Sequence, residues 1–419
     1  MNGLNDLKKQ LVPGVDLLLF PSQQFKSVQV IVNFAQPAQS DTTSRRALLS
    51  YIQAVSSQAY PSQQALAQAL IERGGLRYQS DVGFLGGLHQ LRFTLQFTEP
   101  RFMGQPAQYL FEQFDFLKGM IFQPVFSNPK FASSILPVEK QSLKQELASI
   151  RDDKDRYLFT KLKAASFDQK AVAESALGKV AEVEKIQPEE LEACHAKMLR
   201  QDQVTIAVLG NFDEKEVQSY FQTWPLEARK SFLSQAQIEP RQGAFESRSE
   251  QMAGMEQILL AQSYRFKGKV NPYHVNLLNG LLAGGPSSLM FRQLREEASL
   301  AYSVDSRWQQ DRSWLYLTAG INRDALEESR AIIAAGIQAL RDGDFSENTL
   351  AATKADLLNQ MAQRVDLPGA LLSGKLTQEL SGNVATFAEQ KAAINAVTAE
   401  EVAELAQAMR PVSEYILHP

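Results

Sequence analysis

The alternation of apolar and polar positions in the first hundred residues predicts strands interrupted by two helices. Residues 15–20 and 27–34, rich in valine, isoleucine and phenylalanine and separated by Pro21, read as β-strands. A helix is predicted through 45–54, with Thr42 or Thr43 as its cap. Pro61-Ser62 opens a second helix through 65–72, which Gly74-Gly75 ends. Strands are expected near 76–82 and 88–97, joined by a loop containing Gly86-Gly87. In the second of these, Leu91, Phe93, Leu95 and Phe97 recur at the period of a sheet with one covered face.

Helical patterns follow near 106–120 and 137–150, and the chain stays mostly helical up to a short β run at 204–209. Gly210-Asn211 ends that run, and an amphipathic helix starts near Asp213. The polar, proline-containing stretch 224–243 lacks periodicity, and 226–239 reads as a linker. Beyond it the order recurs in outline: a strand at 257–263, a helix at 272–282, strands near 301–308 and 314–319, and a long helix at 323–340. A helical block and a final apolar run at 415–418 close the chain. The two halves, 1–225 and 240–419, therefore read as two versions of one α+β unit, each a two-layer α/β sandwich.

Composition narrows the chemistry. At 419 residues the chain exceeds the usual size of one hydrophobic core. Its 43 basic and 47 acidic residues give a net charge of -4, which supplies no reason to expect nucleic acid or a membrane surface as partner. No apolar run approaches the length of a membrane span, and the first ten residues lack the apolar core of a signal peptide. Cys194 is the single cysteine, so neither an internal disulfide nor a multi-thiolate metal site can form in one chain, and a cytoplasmic location fits. The four histidines, His89, His195, His274 and His418, lie too far apart for a helical pair of zinc ligands. Structural or solvated roles account for each of them. Asp152, Asp153 and Asp155 fit a solvated helix end better than a cation site.

The sharpest local feature is the segment from Gly284 to Tyr302. Gly284-Gly285, then proline and serines, precede a helix carrying Arg292 and Arg295, with Tyr302 at the start of a strand. Amides exposed at such a helix start can bind a carboxylate or a peptide carbonyl. A capped helix with its arginines in solvent fits the same residues. No lysine follows the glycines and no Gly-x-Gly-x-x-Gly occurs, so this is not a nucleotide-binding loop.

Five stretches together resemble the pitrilysin/insulinase superfamily of zinc metallopeptidases, in its half-length bacterial form. They are the strand pair ending at Phe34; the run from Arg46 to Tyr51 with Tyr60-Pro61-Ser62 and 70–75; 139–147; 204–210; and, most specifically, 281–304. The resemblance implies two homologous domains like those of the mitochondrial processing peptidase, forming half of a clamshell. Active relatives carry His-x-x-Glu-His on one helix and a further glutamate ligand downstream. Here the two histidine positions hold Ala47 and Tyr51, the base position holds Ser50, and Glu146 and Glu139 match the downstream acids. Alanine offers no ligand, serine is too weak a base, and a phenol of pKa near 10 is a poor zinc donor. No histidine precedes Leu88, so the loss does not depend on alignment register.

The resemblance further implies that Arg295 and Tyr302 match an arginine and a tyrosine reaching toward substrate and oxyanion. Gly284 and Gly285, with Arg292, would line the peptide's approach. In half-length pairs these groups can serve a partner's zinc. The expectation is a catalytically incomplete subunit without metal of its own, acting in trans to a half-length homologue with intact His-x-x-Glu-His. That partner would hold Zn²⁺, the substrate would be a peptide or small protein, and a homodimer is one option for the isolated chain. Similar Gram-positive branches are associated with maturation of a modification on elongation factor P. Two rival readings are a non-catalytic peptide-binding scaffold and a zinc endopeptidase with an atypical site.

Overall fold

The computed structural model describes residues 7–268 and 270–419. Its architecture is α+β, with two sheets and a separate apolar core on each.

The six-stranded sheet comprises β1 (Leu7–Val12), β2 (Val15–Pro21), β3 (Ser27–Pro37), β4 (Arg77–Leu85), β5 (Leu88–Thr98) and β6 (Gln203–Gly210), in the order β1-β2-β6-β3-β5-β4. Five of the predicted strands lie here, and the charged strand β1 was not foreseen. One face is covered by α1 (Ser40–Val55), α2 (Gln63–Glu72), α3 (Tyr109–Phe122), the start of α4 (Leu136–Asp152) and α6 (Pro188–Gln201), with α5 (Lys154–Ser166) between the last two in sequence. Ser62 caps α2 by accepting from the Ala65 amide, and the left-handed Gly74 and Gly75 end it. The expected cap of α1 is corrected. Gln39 occupies that position without a side-chain bond, and the Thr42 and Thr43 hydroxyls instead donate back to the Gln39 carbonyl.

The five-stranded sheet runs β7-β11-β8-β10-β9, from β7 (Glu246–Gln251), β8 (Ile258–Phe266), β9 (Ala301–Gln309), β10 (Trp314–Ile321) and β11 (Met409–His418). The polar β7 escaped prediction because it joins the sheet only at an edge, parallel to β11. Helix α7 (Pro272–Ala283) and the helices Leu326–Asp342 and Ala399–Ala408 pack on one side.

Each sheet needs cover on its other face, and distant segments provide it. The first compact unit comprises residues up to Ser149, Ser175–Ala236 and Arg364–Val384; the second comprises Ile150–Glu174, Gln237–Gln363 and Ala385–Pro419. In the first, α8 (Pro368–Leu380) sets Leu372, Leu376 and Leu380 against Leu18, Phe20, Ile31, Ala207 and Leu209. In the second, α5 lies on β8 and β11, and Phe159 packs on Trp314 and Tyr316. The Ser166, Ser263 and Ser413 hydroxyls meet there in a buried triangle with edges of 2.8–2.9 Å.

Candidate functional site

Helix α1 carries the altered zinc-motif positions on the face turned to the core. Ala47 is fully buried among apolar side chains, and Tyr51 is half-buried against them. Ser50 is also buried, its Oγ 3.0 Å from Ser80 Oγ on β4. Hydroxyl and methyl groups thus stand where a ligand set would need imidazoles. On α4, Glu139 and Glu146 are seven residues apart, so they share a helix face. Glu139 is buried, and desolvation raises its pKa. Glu146 is half-buried. Among the described residues no group of three or more His, Cys, Asp or Glu could hold a metal ion. The residues present do not fit Zn²⁺.

What α1 does hold beside Ala47 is a buried polar lock that sequence reasoning missed. Arg46 pairs through Nη1 with Asp202, donates Nη2 to the Phe34 carbonyl at 3.1 Å, and donates Nε to His89 Nδ1 at 2.9 Å. His89 Nδ1 is therefore the acceptor, and its Nε2–H donates to the Ala176 carbonyl at 2.9 Å. Burial, reinforced by the adjacent Arg46 charge, lowers the His89 pKa to about 3. His195 is likewise buried, with Nε2 bonded to the Ile121 carbonyl at 2.8 Å and its pKa lowered mainly by burial. Both histidines are structural. No local signal marked this lock, since the buried face of α1 also carries Thr43, Ser44, Ser50 and Gln53.

The second unit presents Gly284 to Tyr302 as one continuous segment. Gly284 caps α7 at an ordinary φ of -81, but a Cβ there would stand 2.8 Å from Gly280 Cα. Glycine is thus required by the helix end itself. A Cβ at Gly285 would meet nothing within 4 Å. The helix carrying the arginines is a π-helical stretch, Phe291–Glu297, a geometry that sequence periodicity does not reveal. Arg295 lies over the Phe291 ring at 4.8 Å, and Arg292 pairs with Glu297 at 3.4 Å; both arginines are exposed. The Leu300 amide then closes onto the Leu294 carbonyl at 2.9 Å, with Ser299 left-handed at φ 54.

A turn closed by the equivalent bond occurs in the first unit, although there Gly74 is left-handed as well, where Ala298 is helical. There the Leu76 amide bonds the Leu70 carbonyl at 3.1 Å, with Gly75 left-handed at φ 76. Tyr78 thus corresponds to Tyr302, each two residues beyond the closing leucine. Their fates differ. The Tyr78 hydroxyl donates to the Gln53 carbonyl at 2.9 Å, and burial raises its pKa. Tyr302, on the edge strand β9, is 78% exposed.

Comparison with known proteins bears on this geometry. Residues 185–357 match the family described as Peptidase M16 inactive domain. A conserved protein from Enterococcus faecalis V583 of known crystal structure is 30% identical, with a TM-score of 0.91 over 99% of this chain and 98% of that one. The Bacillus subtilis protein described as probable inactive metalloprotease YmfF is 27% identical over 424 residues, spanning all of this chain and 98% of its own. A Peptidase M16 inactive domain from Pseudomonas fluorescens, at 14% identity and a TM-score of 0.78, shares the fold over 99% of this chain and 98% of its own. The chain belongs to the pitrilysin/insulinase (M16) family, with Ala47, Ser50 and Tyr51 at the zinc-motif positions and no metal-binding cluster among the described residues.

Proposed function

We propose that this chain is the non-zinc subunit of a heterodimeric peptidase-like assembly, binding peptide and supplying Arg295 and Tyr302 in trans. The zinc belongs to a half-length partner with intact His-x-x-Glu-His. The observation that carries this reading is the exposure of Tyr302, at 78%, where its counterpart Tyr78 is tied inward. An aromatic ring on an edge strand, facing solvent, has no packing role in its own unit. Arg295 is also exposed, and its stacking on Phe291 orders the guanidinium. A phenol and a guanidinium can both donate to a peptide carbonyl oxygen as it gains negative charge. Gly285, with open space around it, leaves room for the close approach of a peptide backbone at that position.

The test mixes the chain with a half-length homologue carrying intact His-x-x-Glu-His and follows complex formation and peptide cleavage. Arg295→Ala and Tyr302→Phe are each expected to lower kcat by about 10²-fold or more. Because both side chains are exposed, thermal unfolding should not move. Absence of a complex, or unchanged turnover in both variants, rejects the proposal.

A further inference from the structure

Helix α8 lies across β3 and β6 on the second face of the six-stranded sheet. Its grip is apolar and narrow, with Leu372, Leu376 and Leu380 recurring every four residues along one stripe. Two side-chain contacts add to it: Lys8 Nζ donates to Glu379 at 2.5 Å, and Arg92 Nη1 to Ser373 Oγ at 3.2 Å.

The face beneath is not matched to that stripe. Register sets Thr205 beside Asn33 and Asn33 beside Arg92, in one row across β6, β3 and β5. The row is on the α8 side, since Ile31, Ala35 and Ala207, each two positions away along a strand, pack there and Arg92 reaches Ser373. Asn33 is fully buried, and among the described residues neither its amide nitrogen nor its oxygen has a hydrogen-bond partner. Thr205 Oγ1 and Arg92 Nε are also buried without one. The opposite face of the same strands is apolar throughout, with Val28, Val30, Val32 and Phe34 beside Leu91, Phe93, Leu95 and Phe97.

Helix α5 of the second unit supplies the contrast. Both covering helices are inserted in sequence between segments of the other unit, so neither is tied to its sheet by an adjoining strand. Yet α5 is fastened by satisfied polar bonds. Ser166 joins the Ser263 and Ser413 hydroxyls, the Tyr157 hydroxyl donates to Glu250 on β7 at 2.9 Å, and Lys161 pairs with the same carboxylate at 3.1 Å. Trp314 Nε1 is the unpartnered exception on that face. Undocking α5 would break those bonds. Undocking α8 would expose its leucines but return Asn33, Thr205 and Arg92 to water, and the two effects oppose each other.

We propose that α8 is a detachable strap, leaving the sheet as a unit while the six strands stay paired. Native-state hydrogen exchange of the full chain, followed by mass spectrometry over a urea series, tests it. Amides of α8 are expected to exchange at least about tenfold faster than those of β3, with a weaker dependence on urea. Val32→Ala, on the far face of β3, should speed β3 exchange and leave α8 unchanged, because the strap's opening does not expose that core. Asn33→Leu with Thr205→Val should slow α8 exchange by about tenfold or more, since opening then puts two apolar side chains into water. Three results overturn the proposal. They are α8 exchanging only together with β3, Val32→Ala speeding both alike, or unchanged or faster α8 exchange in the double variant. Faster exchange there would assign the polar row to ordered water that holds the helix down.

Discussion

Arg46 Nε donates to His89 Nδ1 at 2.9 Å in the interior of the first unit, one residue before the position where an active relative would place its first zinc ligand. The contact joins α1 to β5, and the Asp202 carboxylate balances the arginine's charge. A helix that in active relatives helps to hold a metal is here held by a buried ion pair.

Removing one partner should be costly. Arg46→Met leaves the Asp202 carboxylate buried without its cation and is expected to cost about 3–5 kcal/mol. The double variant Arg46→Met, Asp202→Leu should recover much of that loss, because no charge is left stranded. Urea unfolding of the single and double variants checks this, and equal losses in both would contradict it.

His89 makes stability depend on pH with a definite sign. Its folded pKa, about 3, lies below the unfolded value near 6.5, so the unfolded chain binds the extra proton first. The contribution is full above about pH 6.5 and falls by about 1.4 kcal/mol per pH unit as pH drops from there toward 3. Between pH 6 and 4, wild type should lose more stability than His89→Gln in parallel denaturant titrations. Parallel curves for the two proteins would refute the assignment.

Ser299 holds a left-handed φ of 54 where its counterpart Gly75 is glycine. A side chain in that region costs about 1–2 kcal/mol, and glycine returns roughly 0.5–1 kcal/mol of this as unfolded-state entropy. Ser299→Gly should therefore stabilise by about 0.5–1 kcal/mol, seen as a higher urea midpoint. Gly75→Ala should destabilise by a similar or larger amount.

In the buried serine triangle, Ser263 also accepts the Ser413 amide at 3.2 Å. Ser263→Ala removes that acceptor and is expected to cost about 1–3 kcal/mol. A thermal midpoint unchanged from wild type would show the triangle to be energetically idle.

Much of the fold was legible because its signals are local. Two-residue alternation marked β5, Ser62 and Gly74-Gly75 bounded α2, and Asp213 capped the helix that follows β6. Strands β1 and β7 were missed for the opposite reason. They are polar, and only pairing with β2 and with β11 makes them strands. The π-helical winding of Phe291–Glu297 and the burial of Arg46 also leave no local trace.

By itself, the sequence determined that no histidine precedes Leu88, and so that α1 cannot carry a pair of imidazoles. That conclusion needs only residue identity, since metal affinity depends on ligand chemistry before geometry. Tertiary structure decided what became of equivalent residues. Tyr78 and Tyr302 each lie two residues beyond a turn closed by the equivalent bond, yet one hydroxyl is spent on the Gln53 carbonyl and the other ring stands in solvent. Burial depends on chain segments far away in sequence, and no local pattern records which of them will arrive.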